Sequence, residues 1–448
     1  MSLTPEMEQK FQMFTAMVPL IGDEAEPVEM PDDERVRKAK ATFLDKISWD
    51  VATELESCIH CGLCAEACHF YLGTKDPKYT PIHKLDLMKR VYRREMSPLR
   101  WLHRVYTPDI TKQDLDDWQE LVYDSCTECG RCSFVCPMGI HIAEMLGVNR
   151  MAFAEAGMIP AELRAMQQGQ AAQGTIFDAN VDVLKERIEE VSQELGFEVP
   201  VDTPHAEVMI LTSGLDLLMF TDALAGTAKI MHSMDVSWTF CTKGYEGANF
   251  GLLSGHEDTQ KQMSDTIIEA AIACGIKTII TPECGHAFPS LRWEGAEMFG
   301  KPLPFEVMSI SEYVGNMYRE GKLKVKQADK PGVITIHDPC KVGRMGGSFD
   351  EARDVLKAMG FDLRETEHNR EVNICCGGGA GVFLIKGATD IRQKAFEVKF
   401  KEVKDTGAER LVVSCGSCRL NFEVGKTKSH EEMPVDSFAA LVGEHVTR

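Results

Sequence analysis

The segments His337-Asp338-Pro339-Cys340, Cys375-Cys376-Gly377-Gly378-Gly379-Ala380-Gly381 and Cys415-Gly416-Ser417-Cys418 bring five cysteines together near the C-terminus. Apolar runs at 332–336 and 410–413 lead into the first and third segments and read as short buried strands. Helical periodicity is expected at 349–359 and 390–406. Strand–helix alternation of this kind implies an α/β domain with a largely parallel sheet. An ordinary four-thiolate site has no use for the adjacent pair Cys375–Cys376 beside three further thiols. The pattern therefore points to a redox metallosite built from soft sulfur ligands.

A worn copy of the same pattern lies upstream. Thr278-Ile-Ile-Thr-Pro-Glu-Cys284-Gly-His-Ala-Phe288 parallels Leu411-Val-Val-Ser-Cys415-Gly-Ser-Cys418-Arg-Leu-Asn-Phe422. Each is a strand with a cysteine at its mouth and a phenylalanine four residues later. Cys241 stands where Cys375–Cys376 does, and the run from Val208 parallels the run from Val333 without its cysteine. Strands are expected at 207–211 and 278–281, and helices at 258–274 and 309–320. Residues 205–330 thus read as a degenerate unit and 331–448 as a complete one. Cys241 and Cys284 read as vestigial thiols with metal or substrate sulfur as the alternative, and Cys274 as plain helix core.

Further upstream are Cys58-Ile-His-Cys61-Gly-Leu-Cys64-Ala-Glu-Ala-Cys68 and Cys126-Thr-Glu-Cys129-Gly-Arg-Cys132-Ser-Phe-Val-Cys136-Pro137. In such a pair the first three cysteines of each run wrap one iron–sulfur cluster and the fourth crosses to the other. Cys58, Cys61, Cys64 and Cys136 are therefore expected to hold one cubane, and Cys126, Cys129, Cys132 and Cys68 the other. Gly62 and Gly130 suit the tight turns. One departure stands out: His69 occupies the place where Pro137 closes the second run. The 57 residues between Cys68 and Cys126 carry helical periodicity, so 46–160 reads as a helical two-cluster domain. Lys89, Arg90, Arg93, Arg94 and Arg100 form either a solvated face or a dock for an acidic partner.

A chain of 448 residues has room for two to four cores. Its net charge of −20 argues against nucleic acid, whose phosphates need clustered cations. No apolar run is long enough to span a bilayer, and no secretory signal is visible. With no such signal, the 16 cysteines imply metal thiolates in a reducing compartment rather than disulfides. Residues 1–45, broken by Pro5, Pro19, Pro27 and Pro31, read as a mobile arm. Met13, Phe14, Met17, Val18 and Leu20 would pack it on a partner. Residues 161–204 read as a helical linker, with 160–175 exposed. The glycines from Gly377 to Gly381 fail the dinucleotide fingerprint, and no Walker lysine follows.

The cysteine runs resemble the two-cluster ferredoxin-like domains of respiratory iron–sulfur subunits. The C-terminal motif is similar to the cysteine-rich CCG domain of heterodisulfide reductases: a lone cysteine, then CCG, then CxxC. Here 34 residues separate Cys340 from Cys375, and 37 separate Gly377 from Cys415, slightly longer than the usual gap. Nearly the whole chain resembles the D subunits of that family, and also the K and B subunits of related sulfur-metabolising membrane complexes. The resemblance implies an α+β or α/β chain: a helical two-[4Fe–4S] domain, then an α/β CCG domain of two imperfect repeats. It also implies a third, non-cubane [4Fe–4S] cluster on Cys340, Cys375, Cys376, Cys415 and Cys418, with Gly377, Gly378 and Gly379 admitting backbone close to it.

For function, the resemblance implies electrons passing between a membrane cytochrome b-type subunit, other redox subunits, the two cubanes and the CCG site. There a disulfide or trisulfide would be cleaved or formed, a small sulfur-carrier protein being one substrate. His337 or His286 would supply a proton to the leaving thiolate, and Lys341, Arg344 and Arg419 would offset negative charge. The chain would lie at the cytoplasmic face of the inner membrane, held by a partner. The alternative is an electron-relay subunit beside a flavin-dependent glycolate, lactate or glycerol-3-phosphate dehydrogenase.

Overall fold

The computed structural model describes residues 5–447. Helices make up the chain before Val208, and two parallel sheets organise the rest. Strands β1 (Val208–Ile210), β2 (Trp238–Phe240), β3 (Thr278–Thr281) and β4 (Glu306–Ser309) form the first sheet in the order β2-β1-β3-β4. After the edge strand β5 (Lys324–Val325) come β6 (Val333–His337), β7 (Asp362–Leu363), β8 (Arg410–Val413) and β9 (Val435–Ser437). These last four form the second sheet in the order β7-β6-β8-β9. Place for place the two orders are the same, and every pairing in both is parallel. Strands covered on both faces need no polar side, which is why they read as apolar runs. A last strand, β10 (Val446–Thr447), returns antiparallel to β5 and ties the C-terminal segment to the joint between the two units.

The strands expected from sequence are β1, β3, β6 and β8, and the expected helices are Glu257–Cys274, Ile310–Arg319, Asp350–Ala358 and Thr389–Asp405. Ser309 starts the second of these with a capping box, its hydroxyl accepting from the Glu312 amide and the Glu312 carboxylate accepting from Ser309. The two units meet where helix Thr221–Ser233 crosses helix Phe438–Gly443. A Cβ on Gly226 would lie 2.4 Å from the Ala439 carbonyl oxygen. The crossing therefore needs glycine. Ile230, Phe240, Ile336 and Val412 pack in the core between the units.

Two expectations fail. Residues 5–24 are not a mobile arm but helix Pro5–Met17 and the turn Val18–Glu24. Met7, Phe11, Phe14, Val18 and Ile21 are buried in the core that also holds the cluster-domain helices. Met13, Met17 and Leu20 face out. The prolines mislead because Pro5 and Pro19 sit at element starts, where a missing amide costs nothing. Residues 1–4 of that arm lie outside the described residues. Likewise 160–175 is not exposed. Helix Ala161–Gln173 buries Leu163, Met166 and Gln170. The Gln170 amide donates to the Ala248 carbonyl at 2.8 Å and accepts from the Phe250 amide at 2.7 Å. Bonded at both ends, the polar side chain can be buried.

Candidate iron–sulfur centres and cleft

Both cysteine runs fold alike. His60 and Glu128 adopt positive φ, as do Gly62 (+82°) and Gly130 (+75°) two residues on. Each glycine then caps a short helix, Leu63–Ala67 or Arg131–Phe134. Turning the chain this tightly aims three thiols of a run inward. Cys58, Cys61, Cys64 and Cys136 line one small cavity, closed by Ile82, Pro137 and Ile140. Cys68, Cys126, Cys129 and Cys132 line another. The fourth cysteine of each run does cross to the other cavity. Burial, then the neighbouring thiols, push the Cys132 thiol well up. Thiols so crowded ionise readily only when a cation shares the space.

Cys340, Cys375, Cys376, Cys415 and Cys418 are all buried and share one core. The sulfurs of Cys376 and Cys418 are 3.4 Å apart. His337 ends β6 and reaches them: its ring nitrogen and these two sulfurs lie within 4.8 Å of one another. Hydrogen bonds from Cys375 and Cys418, and then from His337, outweigh burial and hold the Cys376 thiol well below the usual thiol range. The loop from Cys376 is pinned by Asn421, whose amide donates to the Cys376 carbonyl at 2.7 Å. Gly377 has φ +99° and Gly381 φ +79°, and a Cβ on Gly381 would meet Leu163 at 2.4 Å. Asp338 is structural: burial would raise its pKa, but Arg353, bonding it at 2.7 and 2.9 Å, holds it below the usual range.

The second cubane cavity and the five-thiol pocket share a wall. The sulfurs of Cys129 and Cys375 and a ring nitrogen of His69 lie within 4.8 Å of one another. Three arginines, not singled out together in the sequence, staple the loops on either side. Arg150 donates to the carbonyls of Cys126 and Ala380, both at 2.8 Å. Arg131 joins Ala67 at 2.9 Å to Val372 at 2.8 Å. Arg344 joins Cys129 at 2.6 Å to Asn373. Their acceptors are main-chain carbonyls, which leave no mark in a sequence. Arg344 is thus a tie between loops whose charge also favours the Cys129 thiolate. Arg419 is engaged too, bidentate on Asp222 at 2.8 Å.

On its far side the pocket borders a cleft. Glu283, Cys284, His286, Gly378 and Gly379 line it beside the pocket, and Phe14, Phe177, Phe250 and Leu420 form apolar walls. His286 accepts from the Ala380 amide at 3.1 Å. Burial, aided by Lys341 and Arg150, depresses its pKa to about 3. It is neutral near pH 7, with its Nε2 taken up by the Ala380 amide. His337 is also lowered by burial. Cys241 and Cys284 do not meet. Cys284 lies beside Cys415 at the cleft, whereas Cys241 sits in a separate core against Cys274. Cys274, read as plain helix core, ends helix Glu257–Cys274 half-buried against that core. The basic face of 89–100 is largely neutralised, with Arg90 on Asp114, Arg93 on Glu56, and Arg94 on Glu95 and Asp109.

Two crossed four-thiol cavities and a five-thiol pocket at the mouths of β6 and β8 define a multi-cluster iron–sulfur electron-transfer protein. Residues 54–140 match the 4Fe-4S dicluster domain, and residues 334–423 match the cysteine-rich domain CCG. The chain is 26% identical to the D subunit of the dihydromethanophenazine:CoB–CoM heterodisulfide reductase of Methanosarcina acetivorans, over 87% of this chain and 94% of that one. It is 24% identical to the Hdr-like menaquinol oxidoreductase iron-sulfur subunit 2 of Archaeoglobus fulgidus, over 82% and 75%. A third relative is the EtfAB:quinone oxidoreductase of Syntrophomonas wolfei, 26% identical over 83% of this chain and 54% of that one. The chain is an iron–sulfur protein that is similar to heterodisulfide reductase D subunits over most of its length, with two [4Fe–4S] clusters in its dicluster domain and a further iron–sulfur site in its CCG domain. Among the described residues no helix is long and apolar enough to cross a membrane.

Proposed function

We propose that this chain is the subunit of a membrane-associated redox complex in which electrons meet a disulfide or trisulfide. The observation that carries the reading is the placement of the five thiols between the second cubane cavity, through Cys129, and the cleft, through Gly378 and Gly379. An electron path and a substrate path thus end on the same side chains. Cys58, Cys61, Cys64 and Cys136 hold the first cubane; Cys126, Cys129, Cys132 and Cys68 hold the second. Cys340, Cys375, Cys376, Cys415 and Cys418 hold the third cluster, which supplies single electrons and soft iron for substrate sulfur.

The remaining work falls to the chain itself. Cleaving RS–SR′ takes two electrons and two protons and releases RSH and R′SH. His337 holds Cys376 in place and keeps a neutral N–H beside it. The apolar cleft walls exclude water around the S–S bond. The chain attaches to the inner face of the membrane through a cytochrome b-type subunit, and a small sulfur-carrier protein presents the disulfide. Affinity capture from native membranes tests this. Co-purification of a haem b subunit, with thiol release from a disulfide under reduced viologen, is expected. Capture of a flavoprotein with no thiol release would contradict it. A relay subunit without bond-breaking chemistry is the second reading, favoured by the match to an EtfAB:quinone oxidoreductase.

A further inference from the structure

His69 is the one residue of the two cysteine runs that breaks their shared pattern, standing where the second run has Pro137. It is not at the surface but 2% exposed, at the first position of helix His69–Thr74. The backbone does not ask for histidine. Proline is favoured at a first helical position, where the amide has no intrahelical partner. Cys68, at φ −90° and ψ 116°, is already close to the conformation a residue takes before proline. The side chain must account for the residue, and it points into the wall between the second cubane cavity and the five-thiol pocket. Its Nε2 is 3.5 Å from the Thr127 hydroxyl, which is itself 3.4 Å from the Cys375 sulfur. A ring nitrogen of His69 also lies within 4.8 Å of the Cys129 sulfur. The ring rests on Phe70, at 4.4 Å between centroids, which fixes its plane.

We propose that His69 is the positioning residue that couples the second cubane to the CCG site, by bonding Cys129 directly and Cys375 through Thr127. This rests on the proposed function, since it assumes that electrons pass between those two sites. A nitrogen donor at a ligand sulfur stabilises the reduced form of a cluster and so raises its potential. The contacts also fix the separation of two sulfurs that belong to different sites. One electron at a time crosses this wall, and no bond to His69 forms or breaks.

The test uses the full-length, anaerobically prepared protein with His69→Pro, His69→Leu and His69→Gln. His69→Pro suits the backbone, His69→Leu keeps the buried bulk without the nitrogen, and His69→Gln retains a donor. The readouts are iron content, EPR-monitored redox titration and rapid-freeze reduction of the CCG site. His69→Pro and His69→Leu should keep about 12 iron per chain and an unchanged first-cubane signal. Both should show a lower midpoint for the second cubane and electron arrival at the CCG site about tenfold slower. His69→Gln should stay near wild type. Wild-type midpoint and rate in either of the first two variants, or iron loss in both, would overturn the assignment. About 8 iron in the wild type would instead remove the CCG cluster itself and sink the functional reading.

Discussion

Glu246 shows what burial does to a single charge. It is fully enclosed, and burial pushes its pKa up to about 8 despite bonds from the amides of Ala248 and Gly214. The unfolded chain ionises it near 4.5 while the fold keeps its proton, so the stability it lends is complete at low pH. That stability is lost as pH rises from 4.5 to about 8. Glu246→Gln should therefore flatten the fall in melting temperature across that window, a difference that calorimetry of the two proteins reads directly. Arg353 makes the opposite case, since it is paired with the buried Asp338 and with the partly exposed Glu365. Arg353→Met should cost about 3–5 kcal/mol by denaturant unfolding, because it leaves the buried Asp338 carboxylate with no paired cation and only the Arg370 amide as a bonded partner.

Single residues also mark where the sequence is most and least legible. The eight cysteines of the two runs line two cavities in the groups their spacing implies, because such spacing reflects cluster geometry, and the five that the family resemblance proposes share one core. His69 reads only as a departure, since nothing in the run says what its ring would face. Arg131, Arg150 and Arg344 are invisible as a set, because a guanidinium bonding carbonyls has no partner residue type to find. The exposure expected around 160–175 fails on Gln170, whose bonds reach a loop some eighty residues away.

At the level of elements, β1, β3, β6 and β8 are legible because each is an apolar run leading into a motif. β2, β4 and β9, no shorter than β1, escape because polar residues such as Thr239, Ser309 and Asp436 interrupt the apolar run. The crossing of helix Thr221–Ser233 with helix Phe438–Gly443 is set by Gly226 and Gly443. Gly226→Ala should push these helices apart and destabilise by about 1–3 kcal/mol. Gly169→Ala, in helix Ala161–Gln173 with nothing near its added methyl, should instead stabilise by about 0.5–1 kcal/mol. Thermal unfolding of the pair separates packing from propensity. The N-terminal helix closes one wall of the cleft through Phe14. Phe14→Ala should cost about 3 kcal/mol or more and admit larger disulfides, read as a lower KM for bulky substrates.

Across the whole molecule, the two sheets share one strand order, yet they differ in their thiols. The second keeps five at its mouth, while the first keeps Cys284 at the cleft and Cys241 elsewhere. The helical domain sets the second cubane cavity against the complete unit, and Cys61 of the first cavity is exposed. In the proposed function this pocket is where sulfur chemistry occurs. The measurement that bears on it most directly is disulfide reduction by Cys376→Ser under reduced viologen, with EPR of the same sample. The account predicts that thiol release is lost, iron falls from about 12 to about 8 per chain, and both cubane signals persist. Disulfide reduction at the wild-type rate in that variant would contradict it.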